Sequence, residues 1–282
     1  MQVDTQVPST PAPVTSSSHG DGQPHSDPAI AVSWTAAVGQ SGLSGVASYL
    51  ASLQGAAAPP VCGGASTAST STTLTAPADG IYYVHVCAVD LAGNAGAVAI
   101  GGPYVVDTAG PSGLVVSSTS HTVSSWSNDN SVDFSFTGAA DASGIAGYAV
   151  VLDQVSSTEP TCVATQAGNS FTGSISLDAD NWWLHVRAID PAANCGGTVH
   201  LGPFQIDTQS PSAPTGLASP SHEVGVASND DTVDVEWQAA LDQAGLSGID
   251  GYGFFFSAGN DDDCDGVKDV EEDVLTTTSA AL

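Results

Sequence analysis

The sequence predicts an all-β chain that is built from three successive domains of similar design. A landmark of the form Val/Ile-Asp-Thr-x-x-Pro-Ser recurs at Asp4, Asp107 and Asp207, so its copies lie 103 and 100 residues apart. This period is the size of a small domain and much longer than a solenoid repeat. Apolar residues alternate with small or acidic residues in several runs, which is typical of strands with one buried face. Helical periodicity is not convincing in any segment, and Gly and Pro interrupt the chain often.

The landmark divides the chain into units at residues 1–108, 109–208 and 209–282, and the same elements follow in order within them. Every unit has a Ser-His pair in a turn, then an alternating strand, and then a second strand that contains a tyrosine. The histidines of these pairs are expected to act as local hydrogen-bonding groups. The pairs are Ser18-His19, Ser120-His121 and Ser221-His222, the first strands are residues 30–34, 132–136 and 233–237, and the tyrosines are Tyr49, Tyr148 and Tyr252.

The clearest alternation lies in residues 80–90 and in their counterparts 181–190. One face of this strand is apolar in both units, and we predict that it packs in the core. His85 and His185 lie on the opposite face and are predicted to be exposed. A tight turn follows, rich in Asp, Asn and Gly, and leads through a hairpin into the last strand. The predicted core residues are Tyr82, Val84, Val86 and Ala88 in the first unit and Trp182, Leu184, Val186 and Ala188 in the second.

Three motifs mark these strands: Val-x-Val-x-Trp, Gly-Ile-x-Gly-Tyr-x-Val and Tyr-x-Val-x-Val-x-Ala-x-Asp-x-x-Gly-Asn. In this order and spacing they resemble fibronectin type III domains in the tandem form of bacterial secreted and surface proteins, over nearly all of the first two units. The resemblance implies Ig-like β-sandwiches of seven antiparallel strands in two sheets. The third unit stops before its counterpart of residues 80–90. We therefore expect a truncated sandwich there, and a chain that is a fragment of a longer protein at both ends.

The charge of the chain excludes several classes of partner. Thirty acidic residues against two basic ones give a formal net charge of −28. Nucleic acids and anionic membrane surfaces are bound by clustered Lys and Arg, whereas Arg187 and Lys268 are far apart in sequence. The longest nearly apolar run, residues 95–106, is too short for a transmembrane segment and is interrupted by Gly and Pro. The sequence therefore predicts neither a nucleic-acid partner nor a transmembrane segment.

The five cysteines predict a disulfide in each complete unit. Cys62, Cys162 and Cys264 fall in the same region of their units. Later partners in the same unit give Cys62–Cys87 and Cys162–Cys195, and leave Cys264 without one. Disulfides place the chain outside the cell or at the cell surface, and buried free thiols in a reducing compartment are the alternative. No Cys-x-x-Cys pair occurs, so a structural zinc site is not indicated.

The acidic segment 260–273 predicts a calcium site, because eight acids and one lysine give it a charge of −7. Its carboxylates fit positions one, three, five, nine and twelve of a calcium loop, and Gly266 fits position six. The segment also resembles the Asp-rich loops of thrombospondin type 3 repeats and dockerins. Strand-like flanks and Lys268 at position eight favour the alternative of a solvated acidic loop. The predicted ligands are Asp261, Asp263, Asp265, the Val267 carbonyl, Asp269 and Glu272.

A second calcium hypothesis concerns the junctions between units. In this hypothesis the turns that carry Asp90 and Asn94, or Asp190 and Asn194, share an ion with the Asp107 and Asp207 linkers, which would stiffen tandem domains.

The remaining candidates have ordinary structural explanations. Tyr83, Trp126 and Trp183 are aromatic residues outside the predicted core, and such residues either stack on sugar rings or cover a sheet edge. Composition permits a Ser-His-Asp triad, but no Gly-x-Ser-x-Gly elbow or His-Glu-x-x-His helix occurs. Enzyme activity is not expected.

The expected function is a structural spacer or adhesive stalk of a secreted or cell-surface bacterial protein. Short linkers that contain proline favour a semi-rigid rod. The alternative is a glycan- or protein-binding accessory module of a secreted enzyme. The candidate partners are the neighbouring domains of a longer chain and a glycan or surface protein, and calcium is the expected cofactor.

Overall fold

The computed structural model describes residues 3–55 and 60–254 and the strands at 273–275 and 279–281. In these residues the chain forms 20 β-strands and no helix, which confirms the all-β prediction. None of them therefore lies in a helix with the length and apolar character that a membrane span requires.

The first unit is a two-layer sandwich, and its most apolar strand lies at the centre of the larger sheet. One sheet has the strand order β1-β3-β6 and the other has β2-β8-β7-β4-β5. The short β2 runs parallel to β8, and the other neighbours are antiparallel. The strands are β1 (Val14–Ser16), β2 (Pro24–His25), β3 (Ala29–Trp34), β4 (Val46–Gly55), β5 (Ala65–Thr67), β6 (Ser71–Thr75), β7 (Gly80–Asp90) and β8 (Ala99–Val106).

The second unit repeats this architecture without a counterpart of β5 among its named strands. Its sheets have the orders β13-β11-β9 and β10-β15-β14-β12. The central β14 pairs antiparallel with β12 and β15, as β7 does with β4 and β8. The strands are β9 (Val115–Ser118), β10 (Trp126–Ser127), β11 (Ser131–Thr137), β12 (Gly147–Asp153), β13 (Ser170–Ser174), β14 (Ala179–Ile189) and β15 (Val199–Ile206).

Each sandwich encloses its own core between the two sheets, and the alternation identified the correct face of the central strand. Val84, Val86 and Ala88 of β7 are fully buried, and Tyr82 is 9% exposed. Their counterparts in β14 are buried as well, except Trp182, which packs against the core while partly exposed. The smaller sheets contribute Ile30, Val32 and Trp34 in the first unit and Val132, Phe134 and Phe136 in the second.

The prediction that His85 and His185 are exposed is wrong, because their side chains are only 3% and 0% exposed. They do lie on the outer face of the larger sheet, but other parts of the chain cover that face. In the second unit the segment between β12 and β13 crosses it. There the Arg187 guanidinium, on the same face as His185, donates to the Pro160 carbonyl at 3.3 Å.

The described part of the third unit forms two small sheets, with strand orders β16-β17-β20 and β18-β19. Within that part there is no counterpart of β7 or β8. The strands β18 and β19 pair antiparallel. The strands are β16 (Thr215–Ala218), β17 (Asp234–Gln238), β18 (Tyr252–Phe254), β19 (Asp273–Leu275) and β20 (Ser279–Ala281).

Both predicted disulfides are present. Cys62 is bonded to Cys87 and Cys162 to Cys195, with Cα–Cα distances of 5.6 and 5.7 Å. Cys87 and His85 have the same orientation in β7, so the first bridge anchors the segment after β4 to the outer face of the sheet. Cys264 lies outside the described residues.

We expect the double variant Cys162→Ala/Cys195→Ala to lower the free energy of unfolding of the second unit by roughly 3–4 kcal/mol, the chain-entropy estimate for a loop of this length. Urea unfolding of the variant and the native chain measures the difference. Cys264→Ala is the matched control and should leave stability unchanged. Thiol titration of the unfolded native chain should find a single reactive thiol, and five reactive thiols would contradict the pairing.

Candidate functional site

The linker between the first two units is hydrogen-bonded to the unit that precedes it. The Asp107 N–H donates to the carbonyl of His25 at 3.0 Å and thereby extends the pairing of β2 with β8. The N–H and hydroxyl of Thr108 both donate to Asp79 Oδ1, at 2.9 and 2.8 Å. These two bonds lower the pKa of Asp79. The linker therefore continues the first sandwich and is not a free tether.

The same linker is also bonded to the unit that follows it. The Asn194 amide, in the turn after β14, donates to the carbonyls of Asp107 and Ala109 at 2.8 and 3.1 Å. Asp190 holds this amide through its Oδ2 at 2.8 Å, and its Oδ1 accepts from the Asn194 N–H at 2.8 Å. The Pro111 carbonyl lies so close to Gly196 that a Cβ atom on residue 196 would collide with it. The consecutive linker residues 107–109 thus form hydrogen bonds with both sandwiches.

The first landmark makes similar contacts within its own unit. The Asn94 amide donates to the Asp4 carbonyl at 3.2 Å. Asp4 Oδ2 accepts from the N–H and the hydroxyl of Ser44 at 2.9 and 2.5 Å. The bonds from Ser44 lower the pKa of Asp4.

The linker before the third unit is also hydrogen-bonded on both sides. The Asp207 N–H donates to the Ser127 carbonyl at 2.9 Å, and the Thr208 hydroxyl donates to Asp178 Oδ1 at 3.0 Å. On the other side, Asp207 Oδ2 accepts from the N–H and hydroxyl of Ser247 at 3.2 and 2.5 Å. The landmark that the sequence shows as a repeat is therefore a repeated junction.

The second unit departs from this pattern at one side chain. Ser143 takes the place of Ser44 and Ser247, but its N–H and hydroxyl donate to Asp141 Oδ1, at 2.8 and 3.0 Å. Asp107 Oδ2 is buried and has no hydrogen-bond partner. Oδ2 of this linker aspartate therefore lacks the hydrogen bond from serine that Oδ2 of Asp4 and Asp207 accepts.

Three carboxylates meet at this point of the second unit. Asp107, Asp141 and Asp190 each offer an oxygen, and these oxygens lie within 4.8 Å of one another. Asp107 is 5% exposed and Asp190 is 1% exposed. Burial raises the pKa of Asp107, and the negative charges of Asp141 and Asp190 add to this rise, against the nearby Ser143 hydroxyl. We call these three residues the junction carboxylates.

Asp141 is what distinguishes the second unit from the first. Ser9, Ser112 and Ser212 donate through their N–H groups to the carbonyls of Val38, Ala140 and Leu241, so the residues that follow those carbonyls are equivalent. The equivalent residues are Gly39, Asp141 and Asp242. The first unit thus has no carboxylate at this position.

The Ser-His pairs are local hydrogen-bonding groups, as predicted. The Ser18 hydroxyl lies 2.8 Å from His19 Nδ1, and His19 Nε2 lies 2.9 Å from the carbonyl of Asp27. A carbonyl only accepts, so Nε2 carries the proton and the serine donates to Nδ1. Burial lowers the pKa of His19, which agrees with a neutral ring. The same contacts occur at His121 and His222.

Of the other candidates from the sequence, the aromatic residues lie within the described residues and the predicted calcium ligands do not. Tyr83, Trp126 and Trp183 are half-buried, and the Trp183 ring packs on the backbone at Gly202. The predicted calcium ligands of the acidic segment all lie outside the described residues: Asp261, Asp263, Asp265, Val267, Asp269 and Glu272.

Sequence reasoning missed a histidine pair on the outer face of the second sandwich. His185 Nδ1 lies 2.6 Å from His200 Nδ1, and His185 Nε2 lies 3.3 Å from Asp153 Oδ1. Glu159 lies 3.8 Å from His200 and 3.7 Å from Arg187. His185 and His200 face each other on the two strands of the hairpin that the sequence predicts, and this pairing could have revealed their contact.

The strand orders decide the type of domain in the first two units. A three-stranded sheet packs on a larger sheet in which the last two strands, β7 and β8 or β14 and β15, lie beside β4 or β12. The first two units have the fibronectin type III-like sandwich fold. No family model matches the chain. Chitinase A1 of Niallia circulans is 30% identical over 128 residues, which are 44% of this chain and 17% of that enzyme. The chain therefore spans less than a fifth of this relative.

Several solved structures of fibronectin type III arrays are similar to the chain. The fibronectin(III)-like modules of Clostridium thermocellum CbhA align with a TM-score of 0.36 and 16% identity, over 68% of this chain and 92% of theirs. A two-domain segment of chicken tenascin gives 0.29 and 14%, over 68% and 97%. The central array of RIM-binding protein gives 0.24 and 18%, over 83% and 81%.

In metal-free buffer we expect Asp107→Asn to be more stable than the native chain at about pH 7, because it removes a buried charge whose Oδ2 lacks a hydrogen-bond partner. The folded-state pKa of Asp107 is raised, so its ionised form opposes folding above that pKa. The gain should therefore shrink as the pH falls through it. Thermal unfolding at a series of pH values measures this gain.

Asp207→Asn is the matched control and should have the opposite sign. The Ser247 hydroxyl lowers the pKa of Asp207. Its contribution to stability is therefore present above the unfolded-state pKa and is lost as the pH falls through the folded-state pKa. Equal destabilisation by both variants at neutral pH would contradict the difference between the two linkers.

Proposed function

We propose that the chain is a spacer segment of a longer, secreted or cell-surface bacterial protein, in which tandem sandwiches hold other domains at a set separation. The observation that carries this proposal is the sharing of linker residues. Asp107 and Thr108 are bonded to the first unit through His25 and Asp79, and the linker carbonyls are bonded to the second unit through Asn194.

These contacts restrain the motion between units. Domains within one chain move relative to one another unless their contact is extensive. Here the linker is so short that bonds on both sides fix its main chain, and Pro111 restricts the backbone that follows. A segment with such junctions keeps the domains at its two ends at a better-defined separation than a flexible tether of equal length does.

Composition and covalent structure suit this role outside the cell. Two disulfides support an oxidising compartment. The net charge of −28 favours solubility through self-repulsion. Trypsin-like proteases have only Arg187 and Lys268 as cleavage sites. Arg187 is half-buried and bonded to Pro160 and Gly196, which protects it further.

We propose that the described units are not catalytic. The Ser-His pairs are engaged with main-chain carbonyls rather than with a third catalytic side chain. We also propose that the acidic segment 260–273 binds calcium, because carboxylates are the ligands that this ion prefers.

Distance measurements between spin labels test the spacer role. In a Cys264→Ala background, labels at Ala68→Cys and Ala167→Cys report on the first two units. We expect a narrow distance distribution, because the linker is bonded on both sides. Inserting six Gly and Ser residues between Thr108 and Ala109 should broaden it strongly.

The matched control is the same insertion between Gly225 and Val226, outside the labelled pair, which should leave the distribution unchanged. A distribution in the parent chain as broad as that of the linker insertion would contradict the spacer role.

The second candidate function is an accessory module of a secreted enzyme. The similarity to a chitinase over 128 residues favours it, and the half-buried Tyr83, Trp126 and Trp183 are aromatic residues available for a sugar. Depletion of the chain from solution by insoluble chitin distinguishes the two. We expect no depletion from a spacer. Retention that is lost in Trp183→Ala, with Trp34→Phe in the core as the control, would support the accessory role instead.

A further inference from the structure

We infer that the junction carboxylates Asp107, Asp141 and Asp190 bind a divalent cation, Ca²⁺, where the linker enters the second unit. Their oxygens lie within 4.8 Å of one another. Two oxygens on opposite sides of a calcium ion are separated by about 4.6–5.2 Å, because calcium–oxygen bonds are about 2.3–2.6 Å long. The three groups are therefore spaced as ligands of one ion.

The second observation is the unpartnered oxygen of Asp107. Its Oδ2 is buried without a hydrogen-bond partner in a side chain that is 5% exposed. In Asp4 and Asp207 the same oxygen accepts from a serine. A buried carboxylate oxygen without a donor is costly, and a cation is a partner that removes this cost.

No basic side chain of the described residues supplies that positive charge. The ion pairs there involve only Asp153 and Glu159 as acids. The Arg187 guanidinium is bonded to the Gly196 and Pro160 carbonyls on the outer face of the sheet. The three carboxylates thus leave an uncompensated negative charge that a divalent ion would neutralise.

The ligand chemistry favours calcium over other metals. All three ligands are carboxylates, and no Cys or His belongs to the cluster, which excludes the usual donors of zinc. Magnesium needs shorter bonds of about 2.0–2.1 Å and a strict octahedron. Asp141 is half-buried, so water can complete the six to eight oxygens that calcium requires.

The site ties the linker to two turns of the second unit. Asp107 belongs to the linker, Asp141 to the connection between β11 and β12, and Asp190 to the turn after β14. The first unit has Gly39 in place of Asp141 and supplies a serine to its landmark aspartate. The inference concerns binding at this junction and does not depend on the spacer role.

Calorimetric titration of the full chain with calcium chloride tests the site. The parent for all variants carries Asp261→Asn, Asp263→Asn and Asp265→Asn, which removes the acidic segment as a competing site. After treatment with EDTA, and at physiological ionic strength, we expect saturable binding of one Ca²⁺ per chain. Asp141→Gly, which introduces the residue of the first unit, should abolish the heat of binding.

The matched control is Asp242→Gly at the equivalent position of the third unit, which should bind as the parent does. Asp141→Asn is a second variant that preserves side-chain shape and should weaken binding at least tenfold. Far-ultraviolet circular dichroism in EDTA checks that each variant is folded. Absence of saturable binding in the parent, or unchanged binding in both Asp141 variants, would overturn the inference.

Discussion

Hydrogen bonds from two neighbouring sandwiches converge on an Asp-Thr linker, and the organisation of the chain depends on this constraint. The Asp107 N–H completes the pairing of β2 with β8 in the first unit, whereas its carbonyl is held by Asn194 of the second. Thr108 then turns back to Asp79. Because the contacts of one unit end where those of the next begin, the chain has no independent linker between them.

The units differ in what bonds the carboxylate of the landmark aspartate. The carboxylate of the landmark aspartate needs a hydrogen-bond donor, and Ser44 and Ser247 supply it in the first and third units. In the second unit Ser143 turns to Asp141, and Asp107 Oδ2 is left beside two other carboxylates. A chain with a net charge of −28 has few basic side chains with which to neutralise such a cluster, so an ion from solution is the natural counter-charge.

The alternation of apolar and polar residues was enough to predict which face of the central strand packs in the core. Alternation in residues 80–90 identified Val84 and Val86 as core, because a strand between two neighbours has one face against the opposite sheet. It failed for His85 and His185, because the segments that cover the outer face are remote in sequence. It also failed to place β5 and β6, since their Ser, Thr and Ala side chains show no apolar stripe.

The junction was predictable only in outline. The repeated Asp-Thr landmark and the Asp and Asn of the turns are visible in sequence, but the partner of each is not. Asp141 carries no signal of its own, because it lies 34 residues after Asp107 and 49 before Asp190, and only the packed sandwich brings the three together.

The most direct test of the shared linker is amide hydrogen exchange at Asp107 and Thr108 in the full chain. If their N–H groups are bonded to His25 and Asp79, they should exchange as slowly as the paired amides of β8. Exchange at the rate of an unprotected peptide, with β8 protected, would show that the linker is a free tether and would contradict the account.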